Sequence, residues 1–329
     1  PISSAADSHA GTYAVTVSNP AGSVTSANAV VTVLPPPTIT TQPTNISVFA
    51  GLSFQLGVTA SGNSLAYQWF LGSNAVSAAT GATYSVASAA ATNAGSYTVT
   101  VSNPAGSITS TNAIVTVLAA PAISAQPANA SVFRGQPLQL AVTATGNSLA
   151  YQWFLGANAI VGATNATYAL TAAADTDAGT YKVTVSNPAG SVTSSNATVT
   201  VLPPPTITTQ PSGLSVFRGQ TFQLSVTASG NSLSYQWSRN GAAITGATSA
   251  TYSISSAADS HAGTYAVTVS NPAGSVTSAN AVVTVLPPPT ITTQPTNISV
   301  FAGLSFQLGV TASGNSLAYQ WFLGSNAVS

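Results

Sequence analysis

Four tryptophans, Trp69, Trp153, Trp237 and Trp321, stand 84 residues apart. Each closes a near-copy of Gly62-Asn63-Ser64-Leu65-Ala66-Tyr67-Gln68-Trp69. A fixed period of this length requires a row of small units, each with its own core, and excludes one large domain. Complete units fall at 35–118, 119–202 and 203–286. Residues 1–34 read as the back part of a unit and 287–329 as the front part of another. The boundaries lie at Pro35-Pro36-Pro37, Ala119-Ala120-Pro121, Pro203-Pro204-Pro205 and Pro287-Pro288-Pro289. Consecutive prolines hold such a linker extended, so neighbouring units are expected to be joined semi-rigidly.

Within a unit the apolar residues alternate. Val15 and Val17, Val99 and Val101, and Val183 and Val185 sit two apart among Thr and Ser, which is the period of a half-buried strand. In 35–118 the pattern predicts strands over Ile39 to Val48, Phe54 to Ala60, the segment around Trp69, Thr83 to Val86, and a hairpin of Tyr97 to Val101 with Ile108 to Leu118. The turn Ser102-Asn103-Pro104-Ala105-Gly106 joins that hairpin. Short strands at regular spacing with no helical periodicity make the chain all-β, a tandem array of antiparallel β-sandwiches of about 84 residues each.

With the strands placed, each unit resembles the immunoglobulin fold, and specifically the disulfide-free, intermediate-set-like tandem domains of giant bacterial surface proteins. Gly51, Leu56, Val58, Ala60 and Gly62 match the family's second strand, with Val58 where a cysteine would stand. Trp69 matches the central tryptophan. Asn93, Gly95, Tyr97 and Val99 match the tyrosine corner and the second cysteine position. The same marks recur as Val142, Trp153, Asp177, Gly179, Tyr181 and Val183, and as Val226, Trp237, His261, Gly263, Tyr265 and Val267. The resemblance implies that the Val, Trp and Tyr of each set form the core. His261 departs from the family's usual acid, so the side-chain bond expected there is absent or different in that unit.

Chemistry is scarce. There are no cysteines, four Lys and Arg together, four Asp, and two His. Four scattered cations cannot neutralise a phosphate backbone, which removes nucleic acid as a partner. No apolar run reaches the roughly 18 residues of a membrane span. Asp7-Ser8-His9 and Asp259-Ser260-His261 place the three triad residue types side by side, but adjacent turn residues do not converge on one atom, so no catalytic residue is assigned. Asp175 and Asp177 fall short of the about six to eight oxygens calcium requires, so no metal or cofactor is assigned. The tryptophans share parity with Tyr67 and read as core, not as sugar-stacking platforms. Phe70, Phe154 and Phe322 follow the tryptophan and face the other side of the sheet. The ordinary reading has neighbours on that sheet covering them, and the alternative makes them a lateral contact. Asn45, Asn129, Asn165, Asn196 and Asn297 head glycosylation patterns, so surface glycans are compatible with the chain.

These features predict a structural segment of a giant extracellular or cell-surface protein, forming a stalk, fibre or filament. Near-zero net charge and Thr/Ser/Val strands favour self-association into fibres. An adhesin array, or accessory modules of a secreted enzyme, are the alternatives. Few titratable groups predict stability nearly constant from roughly pH 4 to pH 9. Residues 2–77 are identical to residues 254–329, so the full period is a triplet of units. The incomplete units at 1–34 and 287–329 are expected to be unfolded alone. Their missing strands come either from a continuing chain, the simpler reading, or from strand complementation between chains.

Overall fold

The computed structural model describes residues 1–328. In the repeat 35–118, one sheet runs in the order Asn74–Ala75, Ala66–Leu71, Gly95–Asn103, Ala113–Leu118, Ile46–Phe49, and Gly106–Thr109 also pairs with Gly95–Asn103. Its pairings are antiparallel except the last. Ile46–Phe49 runs parallel to Ala113–Leu118, with Ile46 opposite Val115 and Phe49 opposite Leu118. The facing strands are Thr38–Thr41 paired with Thr59–Ser61, and Phe54–Gly57 paired with Thr83–Val86. The repeat 203–286 reproduces these pairings, with Trp237 opposite Val267 and Leu214–Phe217 parallel to Ala281–Leu286. In 119–202, Trp153 lies opposite Val183, and Ala130–Phe133 runs parallel to Ala197–Leu202.

Three predicted strands are broken in the structure, each for a visible reason. The run from Ile39 to Val48 is two strands, because Gln42-Pro43-Thr44-Asn45 carries the chain from one sheet to the other and the buried Pro43 has no N–H to give a ladder. The run from Phe54 to Ala60 divides at Val58, whose N–H leaves the ladder and donates to Ala82 O at 3.0 Å. The last strand divides at Ser110. There the buried serine replaces the missing ladder bond: its Oγ accepts from Val99 N at 3.0 Å and donates to Thr111 O at 2.9 Å. Ser194 and Ser278 do the same for Val183 and Val267. Among the described residues no buried side-chain polar atom lacks a partner, as a closely packed interior demands.

Alternation builds the core. Tyr97, Val99 and Val101 are buried while Thr98 and Thr100 between them are half-exposed. Trp69 has no exposed surface, and its indole N–H donates to Gly81 O at 3.0 Å, so its one polar atom is satisfied inside. Tyr84 lies between Trp69 and Tyr97, with ring centres 6.3 and 5.6 Å away. The trio recurs as Trp153, Tyr168, Tyr181 and as Trp237, Tyr252, Tyr265.

Compactness divides the chain differently from its period. One compact unit holds Pro1–Pro127, Ala141–Tyr168 and Tyr181–Asn196, and the other holds Ala128–Leu140, Ala169–Thr180 and Ala197–Ser329. Apart from the 3₁₀ turn Asp7–His9, residues 1–34 form only two-stranded pairs, with no buried side chain. Residues 287–328 are likewise open, joined as Thr290–Thr293 with Thr311–Ser313 and as Trp321–Leu323 with Asn326–Val328.

Candidate functional site

The feature built most carefully into each repeat is the seat for the linker that enters it. Asn103 spends all its hydrogen-bonding capacity there. Its Nδ2 donates to Pro35 O at 3.0 Å and to Asn63 O at 3.3 Å, while its Oδ1 accepts from Ala105 N at 2.9 Å and Gly106 N at 3.2 Å. One side chain thereby ties the linker, the turn before the tryptophan strand and its own hairpin turn together. Asn187 holds Ala119 O and Asn147 O at 2.9 and 3.2 Å, and Asn271 holds Pro203 O and Asn231 O at 3.0 and 3.3 Å.

The seat is also packed. Pro37, Pro121 and Pro205, the third residue of each linker, are buried. Gly62, at φ +143°, comes so close that a Cβ there would stand 3.0 Å from Leu65 Cδ2 and 3.3 Å from Pro37 Cα. Gly146 and Gly230 meet Pro121 and Pro205 in the same way. Only glycine suits that backbone angle and that distance together.

A second recurrent arrangement lies in the 3₁₀ turn before the tyrosine strand. Asn93 Oδ1 accepts Ala90 N at 2.8 Å, and Asn93 O accepts the hydroxyl of buried Tyr97 at 3.0 Å. Asp177 caps Ala174 N at 2.8 Å. His261 caps Ala258 N through Nδ1 at 2.9 Å and receives Tyr265 OH at 2.8 Å. Burial, and then the neighbouring Tyr84, push the Tyr97 hydroxyl up from 10.0 to about 12. Burial raises Tyr252 as well.

The sequence-predicted positions fall as follows. Val58, Val142 and Val226 are buried, as are Trp153, Trp237, Tyr181, Tyr265, Val183 and Val267. Phe70 and Phe154 are half-buried, and Lys182 Nζ lies 5.8 Å from the centre of the Phe154 ring. Phe322 is 61% exposed, on an open half-sandwich. All five glycosylation-pattern asparagines are exposed, and two of them are occupied: Asn45 Oδ1 accepts Ile114 N and Asn129 Oδ1 accepts Thr198 N, both at 2.7 Å.

Asp259 and His261 do not come together. Asp259 pairs with Arg218, whose guanidinium is raised above its ordinary value first by that hydrogen bond, while the imidazole faces backbone. Asp175 pairs with Arg134. No cluster of three or more potential metal ligands exists among the described residues. Two hollows, about 370 Å³ beside Pro289, Ile291, Tyr319 and Trp321 and about 540 Å³ beside Phe306, Leu308, Trp321 and Phe322, belong to the open core of 287–328. In complete repeats the matching tryptophan is covered.

The roles of Asn103, Gly62 and Ser110 were not read from the sequence. Their signal was present, since each recurs at the 84-residue period. What sequence hides is the distant partner: Pro35 lies 68 residues from Asn103.

A family model described as "Immunoglobulin domain" matches residues 204–271. Together with the strand pairings repeated in 35–118, 119–202 and 203–286, this makes the all-β chain a tandem of immunoglobulin-like sandwiches. Similar solved structures include three amino-terminal domains of the highly immunogenic outer capsid protein of bacteriophage RB49, with 17% identity, 77% of this chain and 99% of that one covered, and a TM-score of 0.49. A titin I-band fragment, I67–I69, is 17% identical over 77% of this chain and 99% of its own, with a TM-score of 0.48. Sidekick-1 immunoglobulin domains 1–5 are 20% identical over 86% and 68%, at 0.47. What those proteins do is a property of their own chains. No curated protein matches.

Proposed function

We propose that this chain is a spacer segment of an extracellular or cell-surface protein, a non-enzymatic stalk or filament built from repeated immunoglobulin-like sandwiches. The observation that carries the reading is the linker seat. An array meant only to display independent domains has no need to bind each linker's first carbonyl and bury its third residue, yet Asn103, Asn187 and Asn271 hold that carbonyl in all three complete repeats. Holding the linker removes backbone freedom where a tandem protein would otherwise bend. The parallel pairing of Ile46–Phe49 with Ala113–Leu118 and the minimal edge strand Asn74–Ala75 support assignment to the intermediate set.

Low charge adds side-by-side association to the reading. With four cations and four anions in the whole chain, little long-range repulsion opposes contact between copies. Phe70 and Phe154 are the sheet-face aromatics that such contact would use. Exposed sequence-pattern asparagines leave glycans compatible with the surface.

Small-angle scattering and electron microscopy of the wild-type chain and of the N103A/N187A/N271A variant test the spacer. The wild type should show extended particles with a narrow distribution of end-to-end length. The variant should keep its strand content and broaden that distribution. Equal distributions would defeat the assignment of the seat as a stiffening element.

A further inference from the structure

The residue that caps the 3₁₀ turn ahead of the tyrosine strand changes chemical type along the array while keeping the same bond. Asn93 Oδ1, Asp177 Oδ2 and His261 Nδ1 each accept the backbone N–H three residues earlier, at 2.8, 2.8 and 2.9 Å. His9 repeats the histidine version on Ala6 at 2.8 Å. These acceptors respond differently to protons. An amide oxygen accepts at any ordinary pH, and an ionised carboxylate accepts until it is protonated in the acid range. An imidazole Nδ1 accepts only in the neutral ring with its proton on Nε2. The imidazolium carries N–H on both nitrogens and would turn a donor towards the Ala258 donor.

We infer that the caps form a graded acid-release series, in which the histidine repeat unlatches first on mild acidification, the aspartate repeat later, and the asparagine repeat not at all. The sign follows from the acceptor. The His261 bond is present while the ring is neutral and is lost when Nδ1 takes up a proton and becomes a donor. The backbone carbonyl of His261 receives the hydroxyl of buried Tyr265, as that of Asn93 receives Tyr97.

The charged groups around the ring leave this direction intact. On its own turn, Asp259 is occupied by Arg218, which approaches from the turn between Leu214–Phe217 and Phe222–Ser225. From the end of the tryptophan strand, Arg239 places its guanidinium on Ser260 O. The neighbouring strand Ala281–Leu286 carries no ionisable side chain. Arg218, Arg239 and the paired Asp259 leave one net positive charge on this turn, which adds no attraction for a further one on the imidazole. His9 and His261 are 252 residues apart, so the acid-labile cap recurs once in every three repeats.

Amide hydrogen exchange on the full chain tests the series, as protection factors at about pH 8 and about pH 5, the span over which histidine changes charge. Protection at Ala258 should fall by roughly tenfold on acidification, the scale of one lost hydrogen bond. Protection at Ala90 and Ala174 should hold. The variant H261N carries the acceptor that Asn93 already uses, so it should fold and its Ala258 protection should become pH-independent. If Ala258 keeps pace with Ala90 through the range in the wild type, or if H261N responds to acid as the wild type does, the inference fails.

Discussion

At the scale of single residues, the core is a set of large side chains whose few polar atoms all find partners. Trp237 has no exposed surface and donates its indole N–H to Ser249 O at 2.9 Å. Trp237→Ala should therefore cost its repeat about 3–5 kcal/mol, because the cavity adds to the lost transfer energy. Chemical denaturation followed by circular dichroism reads that cost. The tyrosines set the behaviour in alkali. Tyr97 ionises at about 12 in the fold against 10.0 ordinarily, so below pH 10 both folded and unfolded states keep the proton and stability is unaffected. Between pH 10 and 12 the unfolded chain loses that proton first, and melting temperature should drop across that window. Tyr97→Phe should blunt the drop. These aromatic positions were legible because Trp69 and Tyr97 fit the pattern of the family the repeat resembles and strand parity puts the tryptophans on the inner face, with no knowledge of their partners needed. Asn103 was legible only as a turn residue, since a hydrogen bond spanning 68 positions leaves no local pattern.

Among elements, the informative places are the interruptions. Proline removes a donor at position 43 and serine supplies an acceptor for Val99 N at position 110, so a first strand can leave one sheet for the other and a last strand can step across its neighbour with the ladder bonds accounted for. Apolar and β-branched content runs through both sites, which is why they read as continuous strands, although Ile39 and Val48 stand nine residues apart and so differ in parity across the sheet change. The seat offers a sharper test. At Gly62 an alanine would face Leu65 and the backbone of Pro37 while holding φ near +143°. Gly62→Ala should cost about 1–3 kcal/mol as local strain, and protection of the Pro35–Thr41 segment against hydrogen exchange should fall with it. Gly51→Ala, at φ +84° but with open space around its Cβ, separates backbone strain from crowding.

For the whole molecule, the contrast between complete and incomplete repeats is a measure of what a sandwich needs. Trp321 and Trp69 occupy the same position of the period, yet one is 38% exposed and the other 0%. Appending residues 78–118 after Ser329 supplies the missing strands. The emission of Trp321 should then shift to the blue, and limited proteolysis within 287–329 should cease. Unchanged emission would mean that the front strands do not fold even with their complement attached.

The linker seat has one more consequence. Its donors, its acceptors and its glycine all lie within a single 84-residue period, so no seat depends on the identity of the repeat before it. Crossing-over between residues 2–77 and 254–329, which share one sequence, deletes or duplicates three repeats and leaves every seat whole. Copy number can thus change without disturbing any seat, and alleles of such an array should differ in length by multiples of 252 residues.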